Sequence, residues 1–123
     1  MADNIIKCSK EQNYIKGKIG ETKAISFLEK LGYKIITKNF KTPLGEIDIV
    51  AKDDDERIIF VEVKLRQTAK FGYPRQAVTI QKQKTIRRVA EIFLRSKRIT
   101  NAYTRFDVIE ILADNITHIK SAF

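Results

Sequence analysis

Gly45–Lys64, G-E-I-D-I-V-A-K-D-D-D-E-R-I-I-F-V-E-V-K, reads as two strands joined by an acidic turn. In the first strand Glu46, Asp48 and Val50 alternate with Ile47, Ile49 and Ala51, so the two sets are expected on opposite faces. In the second, Ile58, Phe60, Glu62 and Lys64 share one face and Ile59, Val61 and Val63 the other. Asp53-Asp54-Asp55-Glu56 is a turn-prone connector. The second strand is apolar on both faces, the pattern of a strand covered by helices on both sides. Asp48, Glu62 and Lys64 stand out there, because buried charge is costly unless it is paired, hydrogen-bonded or bound to a metal. On the plain reading the strand ends near Val61, and Glu62 and Lys64 form an exposed ion-pair set with Asp48. On the chemical reading two carboxylates from neighbouring strands converge on one hard divalent cation, which takes oxygen ligands. Lys64, two residues beyond Glu62, then lies beside that cation. There it can orient or deprotonate a water, or stabilise charge on a phosphate oxygen. An aspartate followed by Glu-x-Lys on the next strand favours the chemical reading.

The pattern G-E-I-D-I-V-A followed by F-V-E-V-K resembles the PD-(D/E)xK nuclease superfamily. The chain as a whole is similar to the YraN-like family of small bacterial proteins. That resemblance extends over K-G-x-x-G-E at Lys16–Glu21, the hairpin, R-x-x-x-x-F-G at Arg66–Gly72 and R-F-D-V at Arg105–Val108. Ile47 stands where the superfamily places a proline. The resemblance implies a restriction-endonuclease-like core and a metal-dependent nuclease. Asp48 and Glu62 would hold Mg²⁺ or Mn²⁺ with the Val63 carbonyl and Glu21, and Lys64 would complete the catalytic set.

The charge agrees with a polyanionic partner. Twenty-four lysines and arginines against 15 aspartates and glutamates leave a net charge of +9. Nucleic acid, DNA or RNA, is the simplest such partner, and an anionic membrane surface is the competitor. At 123 residues the chain can build one core,. Residues 1–10 are expected to be a flexible segment and residues 11–123 a single domain. The single cysteine, Cys8, cannot form an internal disulfide, which suits a reducing cytoplasm. No signal-peptide core is apparent, and no apolar run reaches the roughly 18 residues of a membrane span.

A first helix is expected from Ser9, which has capping-box spacing to Gln12, to about Leu31, ended by Gly32. Ala24, Phe27, Leu28 and Leu31 form its inward face. Projected back one turn, that face meets Glu21. The glutamate either caps a neighbouring amide or stands beside the acidic pair, and the resemblance implies the second. Gly17 and Gly20 would let this helix approach the sheet closely. A strand is expected over Gly32–Thr37, with Tyr33 and Ile35 on one face, and a loop over Asn39–Pro43.

Leu65–Ala77 reads as a functional loop. Arg66, Lys70 and Arg75 surround Phe71 and Tyr73, an arrangement suited to a flexible nucleic-acid strand; the alternative, favoured for Phe71, is that the rings pin the loop to the core. The resemblance also implies a place near the site for Gln76, as for a glutamine of resolvase-like nucleases. A resolvase role would require a homodimer, which nothing in the sequence announces.

Thr79 caps a second helix through about Ser96, with Ile86, Val89, Ala90 and Phe93 inward. Its other faces carry Lys82, Lys84, Arg87, Arg88, Arg95, Lys97 and Arg98 against Glu91 alone, an imbalance that suits phosphate contact. Tyr103–Leu112 and Ile116–Lys120 are the last strands. Asp107 lies on the more apolar face of its strand. It reads as structural, paired with Arg105 or loop amides, with a further metal ligand as the alternative. His118, the only histidine, reads as exposed, which removes His-based zinc sites and Ser-His or Cys-His triads.

The expected order, α-β-β-β-α-β-β, is that of an α/β fold with a mixed β-sheet flanked by helices. Three functions fit this reading: a metal-dependent nuclease, a non-catalytic nucleic-acid-binding module on the same scaffold, and an adaptor in a nucleic-acid-processing complex.

Overall fold

The computed structural model describes residues 17–66 and 78–123. The expected loose segment at residues 1–10 and the first turns of the first helix lie outside the described residues. So do Lys70, Phe71, Tyr73, Arg75 and Gln76.

The described part of the first helix, α1, covers residues 17–30. It is followed by β1 (Lys34–Thr42), β2 (Gly45–Lys52), β3 (Ile58–Arg66), α2 (Ile80–Ser96), β4 (Thr104–Leu112) and β5 (Asn115–Ile119). The five strands form one sheet in chain order. β1, β2 and β3 make an antiparallel meander, β4 joins β3 in parallel through the α2 crossover, and β5 returns antiparallel. This is the mixed sheet and the element order that the sequence pattern predicts.

Each face of the sheet has its own core. Against α2 lie Ile47, Val50, Ile58, Phe60 and Val108, meeting Ile86, Val89, Ala90 and Phe93. Against α1 lie Ile49, Ala51, Ile59, Val61, Ile109 and Ile111, meeting Ala24 and Leu28. Strand β3 is covered on both sides, which is why it reads as an almost unbroken apolar run. Leu28 and Phe93 are fully buried, and each contributes about 1.5–3 kcal/mol through burial.

Local chemistry sets the helix ends. The Thr79 hydroxyl accepts the Lys82 N–H at 3.1 Å, the expected N-cap,. Helix α1 stops in a paired motif: Gly32 N–H donates to Glu29 O and Tyr33 N–H to Leu28 O, each at 3.0 Å, with Gly32 at φ +92°,. Helix α2 closes in the same way, Arg98 N–H to Arg95 O and Ile99 N–H to Leu94 O. Here the left-handed position is held by Arg98, φ +55°.

Three expectations are corrected. The segment Asn39–Pro43 is not a loop up to Thr42, because β1 runs through it. Strict alternation in β2 also fails. Ile47 packs with Val50 on the α2 face rather than with Ile49. The flanking β1–β2 pairs, Lys38↔Ile49 and Phe40↔Ile47, bracket Asn39 and Asp48, and Asn39 has φ +53°. A left-handed residue re-aims the strand, so the pleat shifts at this point. Finally, Gly17 and Gly20 are not needed for close approach. A Cβ at Gly20 would make ordinary contacts with Leu65 at 3.9 Å, and at Gly17 it would meet nothing within 4 Å among the described residues. The close approach is at Gly45, where a Cβ would stand 2.7 Å from Thr85 Cγ2 of α2.

Candidate metal and nucleic-acid site

Strands β2 and β3 pair from Lys52↔Ile58 to Ile49↔Val61. Beyond that point β3 goes on pairing with β4 as far as Arg66↔Leu112, while the start of β2 pairs with β1. The two middle strands therefore part, and Asp48 turns into the gap. Its Oδ2 accepts the Val63 N–H at 2.8 Å, taking the place of a backbone carbonyl. One side-chain oxygen is thus fixed against the strand that carries Glu62 and Lys64.

Glu62 is 8% exposed. Its Oε1 lies 3.5 Å from Lys64 Nζ, on the face the alternation predicts. The pair is not the exposed one of the plain reading, and β3 does not end at Val61. Burial first, and then the Glu62 carboxylate, push Asp48 from its usual 3.8 up to about 7. The Val63 amide acts in the opposite sense, and the Glu21 and Glu46 carboxylates add to the rise. Among the described residues no lysine or arginine lies within ion-pair distance of Asp48.

Glu21 comes from the first described turn of α1, and its Oε2 accepts a hydrogen bond from Asn39 Nδ2 at 3.0 Å. It is near enough to act on Asp48 through charge, but it is already engaged. Among the described residues no three His, Cys, Asp or Glu side chains stand together as a ready-made metal cage. The donor chemistry fits a hard cation held by the two carboxylates Asp48 and Glu62. Mg²⁺ commonly takes one or two carboxylates and completes its shell with water and substrate phosphate.

Further along the same face of β3, Arg66 Nε donates to Glu110 Oε2 at 2.9 Å. Glu110 is opposite Lys64 in the parallel register. The charges Glu62, Lys64 and Arg66 thus form a row leading away from the gap. On α2, Lys84, Arg87, Arg88 and Arg95 are exposed and Lys82 is half-buried. Of these, Arg87 also lies over two rings, its guanidinium 4.7 Å from the centre of Phe106 and 5.6 Å from that of Phe123,.

Sequence reasoning missed Asn39, Glu46 and Glu110. Asn39 had a signal: asparagine tolerates the left-handed region, and apolar residues at Ile35, Ile36 and Phe40 do not keep a two-residue period. The reading of His118 as exposed is overturned. Its side chain is 6% exposed, and Nε2 is 2.7 Å from Asp107 Oδ2. Arg105 grips both Asp107 oxygens at 2.8 Å, and Ser121 N–H donates to Oδ1 at 3.1 Å. Burial alone would raise Asp107, but the bonds from His118, Arg105 and Ser121 outweigh it and hold it below its usual value. An ionised carboxylate has no proton to give, so the shared proton belongs to His118 Nε2. Asp107 is the structural residue expected, with a histidine as a further partner.

The relatives include a UPF0102 protein of Caldicellulosiruptor saccharolyticus, 46% identical over 113 residues, covering 87% of this chain and 95% of that protein. Another, from Clostridioides difficile, is 47% identical over 113 residues, covering 90% and 98%. Among solved structures, "The structure of Pyrococcus Furiosus SfsA in complex with Ca2+" is similar at a TM-score of 0.34 and 12% identity, over 88% of this chain and 63% of that one. A likeness of that size bears on nothing that follows. The family described as "Uncharacterised protein family UPF0102" matches residues 20–111. On that match and on those identities, this chain belongs to the UPF0102 family.

Proposed function

We propose that the protein is a metal-dependent phosphodiesterase acting on nucleic acid. The observation that carries this reading is the parting of β2 and β3. It leaves two carboxylates on adjacent strands, Asp48 and Glu62, with Lys64 Nζ 3.5 Å from Glu62. Asp48 and Glu62 would hold Mg²⁺ or Mn²⁺, with the Val63 carbonyl near. When bound, such an ion polarises a phosphoryl oxygen and offsets the charge that develops during displacement. The Val63 amide fixes one Asp48 oxygen and so limits the directions the carboxylate can take. Lys64 presents an ammonium beside Glu62, where it orients the attacking water and counters charge on the phosphate. Deprotonated, the same amine is a base for that water. Lys84, Arg88 and Arg95 on α2 supply phosphate contacts at a distance from the chemistry.

The test is cleavage of duplex, branched and single-stranded DNA and RNA with Mg²⁺ or Mn²⁺. Asp48→Ala and Lys64→Ala should each lower the rate by about 100-fold or more while the circular dichroism spectrum stays unchanged. Cleavage that persists in both would falsify the assignment. The non-catalytic module has its own support: Lys64 is tied to Glu62, and Glu21 to Asn39. Salt-dependent binding to nucleic acid with no hydrolysis under any metal would decide for it.

A further inference from the structure

A second surface, away from the acidic gap, has a different chemistry. Where the start of β1 meets the end of α2 there is a groove of about 390 Å³. Ile36, Ile58 and Phe93 form its apolar lining, and Lys34, Lys52 and Lys97 stand around it. The volume is at the small end of the range of about 300–1,000 Å³ for ligand sites. It takes one bulky aliphatic group together with the chain that carries it.

The groove opens beside a sheet edge: among the described residues β1 is the outermost strand on that side. The exposed residues of β1 are Lys34, Lys38 and Lys41. Among the described residues none of the three pairs with a carboxylate. Lys52 bonds Glu56 at 3.0 Å in a solvent-exposed pair, which contributes little. Lysines along an edge strand repel a second copy of the same edge. The same charges admit a strand of opposite sign.

We infer that this groove binds an acidic, extended segment of a partner protein, which seats one Leu-sized side chain between Ile36 and Ile99, over the buried Phe93. Its carboxylates meet Lys34 and Lys97 at the mouth and Lys38 further along β1. An extended peptide satisfies both features at once: laid along β1 it presents alternate side chains to the two faces, one into the groove on the α2 face and its neighbours towards Lys38, which pairs opposite Ile49 on the α1 face,. A nucleic-acid base fits less well. The Phe93 ring is fully buried and offers no stacking face, and isoleucines carry no groups to read a base edge. The groove is separate from Asp48 and Glu62, so this inference does not depend on nuclease activity.

The probe is a six-residue peptide of Asp and Glu with one central Leu, titrated into the full chain and followed by amide chemical shifts. Shifts should centre on Ile36, Ile58 and Lys97. Replacing the peptide's Leu by Ala should weaken binding about tenfold. Lys34→Glu with Lys97→Glu, both exposed and so tolerated by the fold, should weaken it at least as much. Equal binding of the Leu and Ala peptides would overturn the inference. Shifts confined to the outer face of α2 would also overturn it, as would displacement by laurate or oligo-dT at concentrations below the peptide's own.

Discussion

Two aspartates, Asp48 and Asp107, are set into the same sheet in opposite circumstances. Asp107 is fully buried and gripped by Arg105, His118 and the Ser121 amide. Its charge is matched within the protein, and it is held below its usual range. Asp48 has one amide and is surrounded by carboxylates, and burial with Glu62 lifts it to about 7. Burial is common to both and raises both. The difference lies in the neighbours: one aspartate has Arg105 as its counter-charge, and the other, among the described residues, stands where a cation from outside would be stabilising. A buried acid does not by itself mark a site. A buried acid without a counter-charge among the described residues is a candidate for one.

The largest effect should come from breaking the satisfied side. Asp107→Asn leaves Arg105 without its main counter-charge and should cost about 3–5 kcal/mol, read from urea denaturation. A loss under about 1 kcal/mol would mean that Asp53, 3.9 Å from Arg105, takes over as its partner,. Next is the ion. Mn²⁺ or Mg²⁺ at about 100 times its dissociation constant should add about 2.7 kcal/mol to the wild type. The gain should vanish in Asp48→Asn, with calorimetry as the check.

Without metal and above pH 7, Asp48→Asn should itself stabilise by about 1–2 kcal/mol, because the amide keeps the Val63 bond and removes the repulsion. The smallest effect is the pH profile, and the two aspartates give it opposite slopes. Asp48, raised in the fold, contributes stability that is fully present below its unfolded value near 3.8 and is lost as pH rises through about 7,. Asp107, lowered, contributes stability present above that value and lost as pH falls through its folded one. Metal-free wild type should therefore weaken between about pH 4 and pH 8 relative to Asp48→Asn. Parallel profiles would mean that Asp48 does not titrate in that window.

Much of this was legible in the sequence. Thr79, the stripe Ile86–Val89–Ala90–Phe93 and the two-sided apolar run of β3 follow from capping and periodicity, and the structure has them. Glu62 and Lys64 share a face because a strand alternates. The parting of β2 from β3 could not be read, since it depends on a side chain replacing a backbone acceptor. Nor could His118, whose partner Asp107 is 11 residues away across the β4–β5 turn. Local patterns report the period of an element, and both of these features arise where tertiary contacts interrupt it.

Gly45 has no side chain and no chemistry, yet the Thr85 and Val89 methyls of helix α2 rest against its backbone. An alanine there would act as a shim, prising the helix from the root of β2 three residues before Asp48. The depth at which that carboxylate sits is thus governed in part by an atom that is missing. Chemists tuning its acidity could work from this remote lever and leave every charged group untouched.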